Sequence, residues 1–141
     1  MSQKFKTNPP NQGRFQGAYG DSASGKSNND AHPLFAFDLK DGTYCISACD
    51  KEFKAALAEK LRILSCMTWQ QIRQASRKSH GFEQIKRNQV RGSLPTWLTD
   101  DVLTLSVCRF HGDAGRLIGM IDGDVFKVFL VDPRLDAYDH G

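Results

Sequence analysis

The rhythm of apolar and polar positions changes several times along this 141-residue chain. Residues 1–33 have no sustained apolar rhythm: Gly, Ser, Asn, Gln and Pro dominate, and Phe5, Phe15 and Tyr19 are scattered among them. Such a stretch buries too little apolar surface to offset the entropy of ordering it, so it is expected as a flexible polar arm, with one folded domain over 34–141. From Leu34, Phe35 and Phe37 alternate with smaller neighbours, Asp41-Gly42 offers a turn, and Thr43 to Ala48 resumes with Tyr44 and Ile46 on one face. That pattern predicts a β-hairpin. Between Lys51 and about Met67 the period lengthens, with Phe53, Leu57, Leu61 and Leu64 spaced as one helical face and Asp50 placed to cap the first turn. Thr68-Trp69-Gln70-Gln71 has the capping-box form, which starts a second, shorter helix with Trp69 and Ile72 inward and Arg73, Arg77 and Lys78 outward.

The pattern is ambiguous again at Phe82 to Val90, which fits a helical turn or an extended strand, and Leu94-Pro95 breaks it. Val102 to Phe110, Arg116 to Ile121 and Val125 to Val131 are β-branched and apolar, with Asp122-Gly123 as a tight-turn signal between the last two and Asp132-Pro133 as a stop. We expect an α+β domain in which a two-helix pair packs on one side of a twisted antiparallel sheet.

Composition narrows the class. The chain is 40% apolar and 25% charged, and no window reaches the roughly 18 apolar residues of a membrane span. Its first ten residues lack the apolar core of a secretion signal, so a cytoplasmic protein with no membrane partner is expected. The net charge of +3 conceals an asymmetry: residues 51–91 carry ten Lys or Arg against Glu52, Glu59 and Glu83, whereas residues 92–141 carry four against eight acids. A concentrated basic stretch is a footprint for phosphate or for an acidic protein. Lys4, Lys6, Arg14 and Lys26, interleaved with the aromatics of the arm, could track RNA in the same way.

Cys45, Cys49, Cys66 and Cys108 lie in or beside apolar runs, and Cys45 and Cys49 form one loose pair where zinc ribbons show two tight ones. They read as buried free thiols, and no metal or other cofactor is expected, even with His80 and His111 in the chain. Asp113, Asp122, Asp124, Asp132, Asp136 and Asp139 lack a recognisable ligand spacing and suit turns and strand edges. No Walker, dinucleotide-binding, nucleophile-elbow or H-E-x-x-H motif occurs.

The order of two helices and a meander, together with the cation-bearing strands CRFHG and GRLIGMIDGDVFKVFLVDP, resembles the RelE/ParE-like toxin superfamily over roughly residues 43–138. The resemblance implies a toxin-like component of a toxin–antitoxin system: a metal-independent endoribonuclease acting on RNA or ribosome-bound mRNA and silenced by a cognate antitoxin protein. Cleavage by the ribose 2′-hydroxyl needs a base, an acid for the leaving 5′-oxygen, and cations around the phosphorane. Arg109 and Arg116 flank one loop and suit the cationic role, while His111 between them, as a histidine, is the candidate acid or base. Lys86, Arg87 and Arg91, with Arg73, Arg77, Lys78 and His80, are the candidate RNA-binding set, and Tyr138 and His140 stand as a C-terminal contribution. The alternative is a non-catalytic nucleic-acid- or protein-binding module of the same fold.

Overall fold

In the computed structural model residues 29–139 are described, so most of the expected arm and His140 lie outside the described residues. The elements in chain order are β1 (Leu34–Phe37), α1 (Lys51–Ser65), α2 (Trp69–Gln74), β2 (Phe82–Lys86), β3 (Thr104–Arg109), β4 (Arg116–Asp122) and β5 (Val125–Asp132). They form a five-stranded sheet of order β1-β5-β4-β3-β2. The α+β expectation holds, but the sheet is mixed: β1 runs parallel to β5, and the other pairs are antiparallel.

The parallel pair corrects the expected first hairpin. Alternation identified β1 as a strand but carried no information about its partner; in the fold Phe35 lies opposite Phe126 and Phe37 opposite Val128. The second arm of that hairpin is not a strand. The Asp41 carboxylate accepts from the Thr43 amide (2.9 Å) and the Ser93 amide (2.8 Å), and Ile46–Ala48 is a turn of 3-10 helix. Tyr44 still meets the sheet, its carbonyl accepting from Val131 N at 2.9 Å. The ambiguous Phe82 to Val90 segment resolves into β2 followed by a 3-10 turn at Arg87–Gln89. At the tight turn between β4 and β5, Gly123 is the first central residue with φ 64°, and Leu135 is the only non-glycine with positive φ among the described residues. The loop thus needs one left-handed residue where the turn signal implied two.

Both helix starts follow their caps. Asp50 accepts from the Phe53 amide at 2.9 Å, and Thr68 and Gln71 complete a reciprocal capping box. Leu57, Leu64, Trp69 and Ile72 pack with Cys108, Leu117, Phe126 and Val131 on one sheet face. On the other face Tyr44, Leu98, Ala137 and Tyr138 cover Leu105, Val107, Ile118 and Leu130 without any helix. No helix of the described residues is long and apolar enough to cross a membrane. Of the four cysteines, Cys49 and Cys108 are buried, whereas Cys66 is exposed and Cys45 half-buried, which corrects the expectation of four buried thiols.

Candidate functional site

The helix-covered face ends in a cleft of about 300 Å³ between α1, the turn that precedes β2 and the loop that follows β3. Helix α1 contributes Ala56, Glu59, Lys60 and Ile63 to it. Lys60 lies in the inward stripe of the helix, between Leu57 and Leu64, and is buried with them. A buried ammonium must be satisfied by acceptors. Its Nζ donates to the Ser79 carbonyl at 2.8 Å and lies 2.9 Å from Nδ1 of His80.

The turn that presents those acceptors is closed by Ser79 N and Gly81 N, which both donate to the Ser76 carbonyl at 2.9 Å. Glycine is required at 81, because a Cβ there would sit 2.2 Å from the Ala75 carbonyl oxygen. Burial and then the charge of Lys60 push the His80 imidazole below its ordinary value, and burial pushes Lys60 down as well. Burial drives the Cys108 thiol beneath them up to about 12, so it stays protonated.

His111 enters from the opposite wall. Phe110 N donates to the Gly115 carbonyl at 3.2 Å and Ala114 N to the His111 carbonyl at 2.8 Å, folding residues 110–115 into a tight loop. The His111 ring meets Phe53 edge-on with centroids 4.8 Å apart, and its Nε2 lies 2.9 Å from Oε2 of Glu52. A carboxylate only accepts, so the hydrogen of the neutral ring sits on Nε2 and the lone pair on Nδ1. Lys78 and the end of β3 at Arg109 complete the rim. Glu59, an acid of the same lining, is engaged by Arg62 through Nε at 3.0 Å.

Of the two arginines, Arg109 borders this cleft at the end of β3 and Arg116 does not. Arg109, Arg116 and Asp132 are opposite one another across β3, β4 and β5. Their neighbours Cys108, Leu117 and Val131 face the helices, so alternation turns these three toward the other face. The Arg109 guanidinium is paired with Asp113. Arg116 is buried, and its Nη1 donates to the carbonyls of Asp113 and Gly115 at 3.0 Å each, holding the loop rather than facing it from outside. Asp132, fully buried, accepts from the amides of Arg134, Leu135 and Ala137 at 2.9–3.0 Å. That fixes the C-terminal segment so that the Tyr138 hydroxyl donates to Glu83 at 3.1 Å. Tyr138 therefore belongs to the helix-free face, away from the cleft, and His140 lies outside the described residues.

The expected RNA-binding set also divides. Lys78 and His80 reach the cleft. Lys86 and Arg87 line a separate groove of about 580 Å³ with Leu94 and Leu103, and Arg87 is drawn into the structure by donating to the carbonyls of Leu98 and Val102 at 3.2 Å. Arg91 donates to the Asp136 carbonyl at 2.7 Å, Arg77 pairs with Glu83 at 2.9 Å, and Arg73 contacts Asn29 and lies 5.8 Å above the Trp69 ring. A single continuous phosphate track is thus replaced by one short cleft and several cations engaged elsewhere.

Glu52 and Lys60 were missed as functional residues. The signal for Lys60 was present: a lysine inside the apolar stripe between Leu57 and Leu64 must either leave the core or find acceptors. Glu52 had none, since its partner is 59 residues away in sequence. Among the described residues no group of three or more His, Cys, Asp or Glu side chains is arranged to hold a metal ion. No family model, curated protein or solved structure matches this chain. What the fold and the cleft define is a class: an α+β domain with a short cleft bearing two histidines and a buried lysine.

Proposed function

We propose that this chain is a metal-independent endoribonuclease acting on mRNA in the cytoplasm, the toxin-like component of a toxin–antitoxin system of the RelE/ParE kind, with its chemistry in the α1–β3 cleft. The observation that carries this reading is the meeting of His80, His111, Lys60 and Lys78 in one hollow of about 300 Å³. Its chemistry matches 2′-hydroxyl cleavage. His111, held by Glu52 as the Nε2–H tautomer, offers Nδ1 to the 2′-hydroxyl proton. Lys78 and the His80 ring then face the phosphorane, where charge accumulates. A cognate antitoxin would silence such a site by covering the cleft and the basic residues around it.

The test is cleavage of single-stranded RNA by the purified protein in the presence of a chelator. We expect products ending in 2′,3′-cyclic phosphate and 5′-hydroxyl, and a loss of about 10²–10⁴-fold in His111→Ala. The second reading, a binding module without catalysis, is favoured by the Arg109–Asp113 pair, which removes one cation from the set first expected to stabilise the phosphorane. Salt-dependent RNA binding with no cleavage under any of these conditions would select it.

A further inference from the structure

We propose that Lys60 is a positioning residue that supplies, through His80, the proton taken by the leaving 5′-oxygen. The inference rests on the endoribonuclease reading and assigns the one role that reading left open, the acid. A protonated lysine has no lone pair, so both short contacts of Nζ are donations: one to the Ser79 carbonyl at 2.8 Å, the other to His80 Nδ1 at 2.9 Å. With Nδ1 accepting, the hydrogen of the His80 ring lies on Nε2. Two cations 2.9 Å apart do not coexist in a half-buried site, and the proton stays on the amine, whose intrinsic affinity exceeds that of imidazole by about four orders of magnitude.

The groups around the pair do not reverse that order. On α1, Glu59 is engaged by Arg62. From β3 the Cys108 thiol is buried and protonated, and Arg109 is paired with Asp113. Lys78 on the same turn and His111 on the facing loop complete the surroundings.

A neutral imidazole alone is a poor acid. Backed by an ammonium it becomes a relay. As the O2′–P bond forms and the P–O5′ bond breaks, the 5′-oxygen takes the hydrogen from His80 Nε2 while Nδ1 takes one from Lys60. Lys60 is left as a neutral amine, His80 as the other neutral tautomer, and His111 holds the former 2′-hydroxyl proton. Water takes that proton from His111 and returns one to His80 Nε2 while the Nδ1 hydrogen passes back to Lys60, so all three groups regain their starting states and the net reaction is transesterification alone.

Two measurements test this. The first is 15N NMR of the imidazoles in the full chain without RNA: His80 is expected as the Nε2–H tautomer, and Lys60→Met is expected to release it to a mixture. The second compares normal RNA with an RNA bearing a bridging 5′-sulfur at the scissile link, whose thiolate leaves without protonation. Lys60→Met is expected to lower kcat by about 100-fold on the oxygen substrate with KM little changed, and to come within about threefold of wild type on the sulfur substrate. An Nδ1–H tautomer in the wild type, or an equal loss on both substrates, overturns the relay while the endoribonuclease reading stands. A wild type that cleaves neither substrate overturns both, whatever the tautomer.

Discussion

The two faces of the sheet carry their cations in opposite ways. On the helix-free face Arg116 is buried and its Nη1 donates to two backbone carbonyls, while its cross-strand neighbour Asp132 accepts from three backbone amides. Each holds a loop. On the helix-covered face Lys60 is equally buried, but its acceptors are one carbonyl and one ring nitrogen of a histidine that itself borders a cleft. Two groups of similar burial thus have different capacities: Arg116 ends on backbone carbonyls and on the Tyr138 hydroxyl away from the cleft, Lys60 on a titratable ring that borders it. Burial of a charge alone therefore does not mark a site; what its hydrogen bonds end on does.

The largest effect expected from this contrast is on the cleft side. His111→Ala should lose about 10²–10⁴-fold in RNA cleavage measured with a chelator present, with a melting temperature close to wild type, since the ring is partly exposed. Arg116→Met should do the reverse. It leaves the carbonyls of Asp113 and Gly115 without their donor and should cost about 2–3 kcal/mol, a fall in Tm of about 10 °C, with cleavage per folded molecule retained well below the transition. If both variants lose activity without losing stability, the division between the faces is wrong.

Smaller effects sharpen the same contrast. Glu52→Gln should lower kcat by about tenfold, because the amide no longer enforces one tautomer of His111 but water competes for an exposed carboxylate in any case. His80 holds its proton less tightly in the folded chain than in the unfolded one. The unfolded state therefore binds more protons once pH falls to about 6.5, and this group's share of stability is full above that range and lost as pH drops through it. A shallow decline in Tm on acidification, absent in His80→Gln, is the expected result in a thermal series over pH.

Local features of the fold were legible where the controlling interaction lies within a few residues. Asp50 and Thr68 cap their helices as their spacing implied, and β3, β4 and β5 follow the β-branched runs. The partner of β1 was not legible, since a period of two says that Phe35 and Phe37 share a face and nothing about whether that face meets Thr43 to Ala48 or β5. The candidate site was half legible for the same reason. His80, His111 and Lys78 were identified by residue type, and they do meet. Arg109 and Arg116 were joined to them because they bracket His111 in sequence; Arg109 does border the cleft, but alternation turns its side chain, like that of its cross-strand neighbour Arg116, toward the face opposite Cys108 and Leu117. Lys60 was not singled out although the stripe from Leu57 to Leu64 runs through it.

Chemical-shift mapping with a 2′-O-methyl RNA oligonucleotide, which binds without being cleaved, tests most directly which part of the molecule receives the phosphate. The account predicts that the perturbed resonances cluster at Lys60, Lys78, His80, His111 and Gly112 around the α1–β3 cleft. Perturbations confined to the groove at Lys86, Arg87 and Leu103, with the two histidine rings unmoved, would contradict it.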